Sequence, residues 1–315
     1  MYAGTALLLV LTLPIPGNPF CHEANGSFRW ISVAGHPIGQ PSELAKIVIA
    51  IVMSVWLAKI GDEVRNPIKG FIFPAALIGG FALPLIFEPD FGACAVVGLV
   101  ALSTMFVAGT RFLHLAIMGV SGVALLAVVV LNNPNRMRRL ASFFEKDSQT
   151  AAESASTAVH QLKQSMISFQ NGGAWGVGYN NSIQRYNYLP EAHTDFIFAI
   201  GGEEFGFFFS IFVLLLFLCL TVCGFMIANR AQDRLGKFLA FSMTFLLSFQ
   251  VVFNIGVVTG CLPTKGIALP FLSYGGTNLI VAMFAVGVLV NIGRLIIDPK
   301  GIAKRHLAKN VPMEF

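Results

Sequence analysis

Apolar runs long enough to cross a bilayer dominate this chain, and they leave few other ways for it to fold. A membrane-spanning helix needs about 20 consecutive apolar residues. Eight such segments fall at 2–15, 43–60, 70–87, 91–109, 112–131, 196–224, 238–259 and 275–296, the first of them short. With 55% hydrophobic and only 12% charged residues over 315 positions, a water-soluble globule is excluded. In hydrocarbon every backbone polar group must be satisfied internally, so runs of this length predict helices. The expectation is an all-α integral membrane protein, a polytopic helical bundle forming one domain over 1–315. Gly-, Ala- and Ser-rich stretches such as Ala76–Gly80 and Gly119–Gly122 suit close helix approach.

One long polar stretch interrupts this pattern, residues 132–195, and it ends in Tyr188-Leu-Pro-Glu-Ala-His-Thr-Asp195 directly before an apolar run. Loop charge gives its side. Lys59, Arg65, Lys69, Arg111, Arg230, Arg234, Lys237, Arg294, Lys300, Lys304, Arg305 and Lys309 occupy one set of connections, and the opposing short loops hold only Arg29 and Lys265. The positive-inside rule then predicts a cytoplasmic C-terminus and an extracytoplasmic 132–195 loop. The net charge of +5 reports orientation and does not point to nucleic acid.

Ionisable residues gather at the outer ends of the segments, where membrane depth makes charge costly unless a cavity or partner receives it. Glu43 and Lys46 share a helix face by i, i+3 spacing, Asp90 starts the fourth segment, Asp195 starts the sixth, and Lys265 and Ser273 precede the eighth. An outward-facing polar cavity accounts for them together; placement at a membrane interface accounts for each alone. Glu203 and Glu204 lie about two turns into their helix and need partners, as a structural pair or as a proton site. The five cysteines show no metal-ligand spacing and are expected to be buried small hydrophobes. The apolar N-terminus lacks a basic n-region and reads as the tail of a span whose start is missing.

Six motifs in order then resemble a known bacterial family. They are Gln40-Pro-Ser-Glu43-Leu-Ala-Lys46, Glu88-Pro-Asp90-Phe-Gly92, Gly172-Gly-Ala-Trp-Gly-Val-Gly178, Leu189-Pro-Glu-Ala-His-Thr-Asp195-Phe-Ile-Phe-Ala199, Glu203-Glu-Phe-Gly206 and Leu262-Pro-Thr-Lys-Gly-Ile-Ala-Leu-Pro-Phe-Leu-Ser-Tyr-Gly-Gly276. Together they resemble the SEDS family (shape, elongation, division, sporulation), and look more like its division member than its elongation member. The resemblance implies ten transmembrane helices, of which the last eight are placed here. It also implies a bacterial cytoplasmic-membrane enzyme with an extracytoplasmic catalytic face, a glycosyltransferase that polymerises lipid II into glycan strands. A class B penicillin-binding protein and other divisome proteins are its implied partners. The Ala/Ser-rich stretch Thr150–Val159, His160 in place of Tyr, and Asn135 in place of Tyr depart from the family pattern.

Glycosyl transfer sets two chemical tasks. A base must take the proton of the attacking sugar hydroxyl, and cations must stabilise the departing lipid pyrophosphate. Asp195 matches the residue assigned as base in the family, a role contributing about 10²–10⁴-fold; an N-cap for the following helix is the alternative. Arg136 and Arg139 resemble a family Arg pair and suit phosphate oxygens, or they snorkel at the interface. Lys265 is a candidate substrate contact, and Ser273 either touches substrate or caps a helix. Glu43, Lys46 and Asp90 are assigned to a cavity charge network. A divalent cation could share the pyrophosphate charge, although no ligand cluster specifies one. A polymerase of the family's elongation type (RodA-like), lipid II transport without catalysis, and a non-catalytic divisome scaffold are the competing readings.

Overall fold

The computed structural model describes residues 1–13, 21–24, 27–33, 36–132, 137, 156–185, 193–263 and 266–297. Every apolar segment expected from the sequence is a helix: α1 Tyr2–Leu11, α2 Pro41–Ile60, α3 Phe73–Phe87, α4 Phe91–Val107, α5 Phe112–Leu131, α7 Ile197–Arg230, α8 Arg234–Val258 and α9 Gly276–Ile297. Six are long and apolar enough to cross a membrane, α3 being counted with the π turn Ile68–Ile72 that leads into it. The chain is therefore an all-α, multi-pass membrane protein.

Two elements go beyond the expectation. Three short antiparallel strands, β1 Cys21–Ala24, β2 Ser27–Val33 and β3 His36–Gly39, form a sheet in the order β1-β2-β3 between α1 and α2. Within the 132–195 loop lies a further helix, α6 Ser156–Gly172. Its buried positions Ser165, Ser168 and Gly172 recur at helical spacing and are all small, so α6 packs closely on α7 and its Ser165 hydroxyl donates to the Val258 carbonyl of α8, 2.7 Å away.

The centre of the bundle is α2, α4 and α8. Met53, Val97, Val100, Met105, Met243 and Leu246 are fully buried there. Without a hydrophobic drive between helices in lipid, small residues and hydroxyl pairs hold the interfaces. A Cβ at Gly224 would overlap Thr244, and Thr221 and Ser248 hydroxyls meet at 2.8 Å across α7 and α8. Ser54 and Ser242 do the same at 3.2 Å between α2 and α8. By contrast α5 is peripheral and shows most of its surface to the surroundings. The cysteines correct the expectation: Cys94 is buried, while Cys219 and Cys223 lie on an exposed face of α7 and Cys261 is exposed beyond α8.

Antiparallel packing sorts the helix ends. α7 starts beside Asp195 and α8 ends there, because Asn254 in its last turn donates to the Asp195 carbonyl. Gln40, preceding α2, donates to Thr277 at the start of α9. The starts of α2, α7 and α9 and the end of α8 therefore share one end of the bundle, about 37 Å from the start of α8 at a rise of about 1.5 Å per residue.

Candidate functional site

Asp195 sits just outside α7, whose first helical residue is Ile197 and whose N-cap position is held by Phe196. The backbone around it is held from several sides. Asn254, almost fully buried in an apolar helix, uses its amide nitrogen twice, donating to the Asp195 carbonyl and to the Ile267 carbonyl, each at 2.8 Å. Ser273 also works in both directions. Its hydroxyl donates to the Thr194 carbonyl at 2.6 Å and accepts from the Leu269 N–H at 2.7 Å. The Tyr274 N–H donates to the His193 carbonyl at 2.9 Å. Residues 193–195 are thereby stitched to the irregular 266–274 segment through three separate ties.

The carboxylate itself rests against Gly266. A Cβ at that position would fall onto Asp195 Oδ2, so only glycine leaves room for the acid in this pose. The side chain of Asp195 is partly exposed. A carboxylate anchored by a rigid backbone and open to one side can accept a proton from a hydroxyl brought within reach.

Glu43 and Lys46 do pair, Lys46 Nζ donating to Glu43 Oε1 at 2.6 Å, and both are buried at the Asp195 end of α2. Buried ion pairs of this kind are destabilised strongly when one partner is removed. Asp90, also buried, occupies the N-cap of α4 and accepts from the Ala93 N–H at 3.3 Å. Glu88 accepts from the Thr12 hydroxyl beside it, tying α1 to the end of α3. The charge cluster expected at this end is thus an i, i+3 pair on α2 and a capping carboxylate on α4. Arg136, Arg139 and Lys265 lie outside the described residues. Among the described residues no three His, Cys, Asp or Glu side chains are placed to share a metal ion.

Gly172–Gly178 and Glu203–Gly206 are separate motifs along the sequence, and the structure joins them. Gly206, at φ +80°, breaks the hydrogen-bond ladder of α7. The freed groups find partners in the Gly-rich loop: Val177 and Gly178 N–H groups donate to the Glu203 and Glu204 carbonyls at 3.0 Å, and Phe207 N–H donates to the Gly173 carbonyl at 2.9 Å. Gly176, at φ +81°, lies so close that a Cβ would strike the Glu204 carbonyl. Glu203, fully buried, accepts from Ser182 at 2.5 Å and Asn171 at 3.2 Å, while Glu204 sits 3.7 Å from Arg185. The two glutamates bind the 171–185 segment onto α7 and do not pair with each other.

Known proteins are similar to this chain in sequence and in fold. The chain is 41% identical over 286 residues to a probable peptidoglycan glycosyltransferase FtsW of Geobacter sulfurreducens, covering 91% of this chain and 74% of that protein. It is 37% identical over 292 residues to the probable peptidoglycan glycosyltransferase FtsW of Coxiella burnetii, covering 92% and 76%. Among solved structures, a chain of a peptidoglycan synthase complex that coordinates polymerization and crosslinking superposes with a TM-score of 0.73 at 25% identity, covering 94% of this chain and 80% of its own. The rod shape determining protein RodA of Thermus thermophilus shares the fold, with a TM-score of 0.62 at 24% identity, covering 94% and 76%. The family model for FtsW, RodA and SpoVE, described as cell cycle protein, matches residues 1–295, and the chain belongs to that family.

Proposed function

We propose that the chain is a peptidoglycan glycosyltransferase that polymerises lipid II, acting in septal wall synthesis. The observation that carries this reading is the Asp195 carboxylate, seated against Gly266 at the membrane end of α7 on a backbone held by Asn254 and Ser273. A prenyl-linked substrate presents its sugar at that depth. Asp195 takes the proton of the attacking 4-hydroxyl, the new bond forms at the anomeric carbon of a second lipid II, and lipid pyrophosphate departs. Arg136, Arg139 and Lys265 supply positive charge for the leaving group; Lys265 directly precedes the glycine that contacts the carboxylate. A cross-linking class B penicillin-binding protein is the proposed partner, supported by the synthase complex that shares this fold. The basic end of the bundle and the C-terminus face the cytoplasm of a bacterial inner membrane, by the loop-charge asymmetry.

The test is polymerisation of labelled lipid II by purified protein, with and without the partner, comparing wild type with Asp195→Asn. Loss of glycan strands in the variant at an unchanged melting temperature is expected. Polymerisation by Asp195→Asn at the wild-type rate would refute the mechanism. Movement of lipid II between leaflets by a protein that forms no strands would establish transport in its place.

A further inference from the structure

We infer that the end of the bundle opposite Asp195 carries a binding site for the phosphate headgroup of an anionic phospholipid. A cavity of about 480 Å³ opens there between the last turn of α2, the 3-10 turn Gly61–Arg65 that follows it, the end of α4 and the first turn of α8. That volume lies in the range of small-ligand sites, roughly 300–1,000 Å³. Three cations, Arg65, Arg234 and Lys237, line it against a single carboxylate, Asp62. Arg234 Nη2 lies 3.1 Å from Asp62 Oδ1, but Asp62 is 96% exposed, and pairs this open to water neutralise little. Arg65 and Lys237 enter no ion pair among the described residues. The cavity therefore keeps two unpaired cations, and a third held loosely, converging from two different elements.

Its remaining walls decide between a soluble anion and a lipid. Val107 and Phe238 present apolar surface inside the cavity. Phe106 and Phe112, close in sequence to the lining residues Val107 and Gly109, are 66% and 77% exposed on α4 and α5 and offer apolar surface that an acyl chain can cover. A free phosphate would use the cations and leave these walls unfilled. A phospholipid uses both, its phosphate among the cations and its acyl chains along α4 and α5; basic pockets between membrane helices at a cytoplasmic face are suited to such headgroups. The site is separated from Asp195 by the length of α8, so it stands apart from the chemistry proposed for that end.

The experiment is native mass spectrometry of the purified full chain with phosphatidylglycerol, phosphatidylcholine and inorganic phosphate as probes. Wild type retains phosphatidylglycerol in preference to phosphatidylcholine. Arg65→Gln and Lys237→Gln each weaken that retention about fivefold, from about 1 kcal/mol per cation near a lipid surface. Val107→Trp fills the cavity with no change of charge and weakens retention as strongly as either, whereas Lys237→Arg retains the lipid. Melting temperatures identify any variant that fails to fold, and Val107→Trp and Lys237→Gln keep the question decidable if Arg65→Gln does. Equal retention of the two lipids, unchanged binding in Val107→Trp, or complete displacement of phosphatidylglycerol by millimolar phosphate overturns the proposal; the last result would assign the cavity to a soluble anion.

Discussion

Asp195 and Glu203 are carboxylates about two turns apart along one helix axis, yet the protein treats them in opposite ways. Around Asp195 the backbone is tied down, and the partly exposed acid rests against Gly266. Around Glu203 the backbone is broken at Gly206, and the acid is consumed as an acceptor for Ser182 and Asn171. A buried carboxylate is tolerable when its lone pairs are used. A carboxylate meant for proton transfer needs its position fixed and one side open to substrate. The two acids differ in burial and in how their backbone is held, Glu203 being fully buried and Asp195 partly exposed.

Crossed measurements give the sharpest way to break that distinction. Asp195→Asn is expected to lower the polymerisation rate by about 10²–10⁴, which is roughly 3–5 kcal/mol of barrier, at an unchanged melting temperature. Glu203→Ala is expected to do the reverse. It strands Ser182 and Asn171 and opens a cavity, so unfolding becomes easier by about 3 kcal/mol, while the rate per folded molecule holds. If Glu203→Ala folds as well as wild type but loses turnover, the roles assigned to the two acids are wrong.

Gly206→Ala attacks the lock itself. At φ +80° a side chain is strained, and its Cβ would overlap the Ala174 carbonyl and the Gly176 N–H. A loss of roughly 2–3 kcal/mol is expected. Hydrogen exchange should locate it, with the amides of Val177, Gly178 and Phe207 losing protection first.

These two sites also show what a sequence makes legible. The helices were readable because apolar runs of this length have one solution in lipid, and Asp195 was readable because it ends the polar loop. The mutual docking of Gly172–Gly178 and Glu203–Gly206 was not, since backbone hydrogen bonds between segments about 30 residues apart leave no trace in local periodicity. α6 had a weak signal in the small residues Ser165, Ser168 and Gly172. Asn254 had a stronger one: a lone amide deep in an apolar helix asks for a partner, although the sequence cannot say that the partner is the carbonyl of Asp195. Ser273 stood between substrate contact and helix cap, and its observed bonds go to two loop backbones, which neither reading anticipated.

Asn254→Ala tests whether that partner matters to the reaction. It leaves the Asp195 and Ile267 carbonyls without their donor, and about 2 kcal/mol of stability should go with it. If the turn at Asp195 positions the base, the maximal rate falls as well, by about tenfold, with little change in KM. A fall in stability alone would reduce Asn254 to packing.

Ser273→Ala should have the smallest effect, and it separates the two readings of that residue. Removing the hydroxyl deletes one bond to Thr194 and one from Leu269, but Tyr274 N–H still ties the segment to His193. A loss of about 1 kcal/mol is expected. Because the hydroxyl is buried and already engaged on both sides, KM for lipid II should stay within about twofold, and the small penalty should appear in the maximal rate. A rise in KM with an unchanged maximal rate would mean that Ser273 binds substrate, and that the 266–274 segment opens when lipid II arrives. The Asp195 end would then be mobile in the working enzyme, and the contrast with the locked Glu203 region would extend from the acids to the segments that hold them.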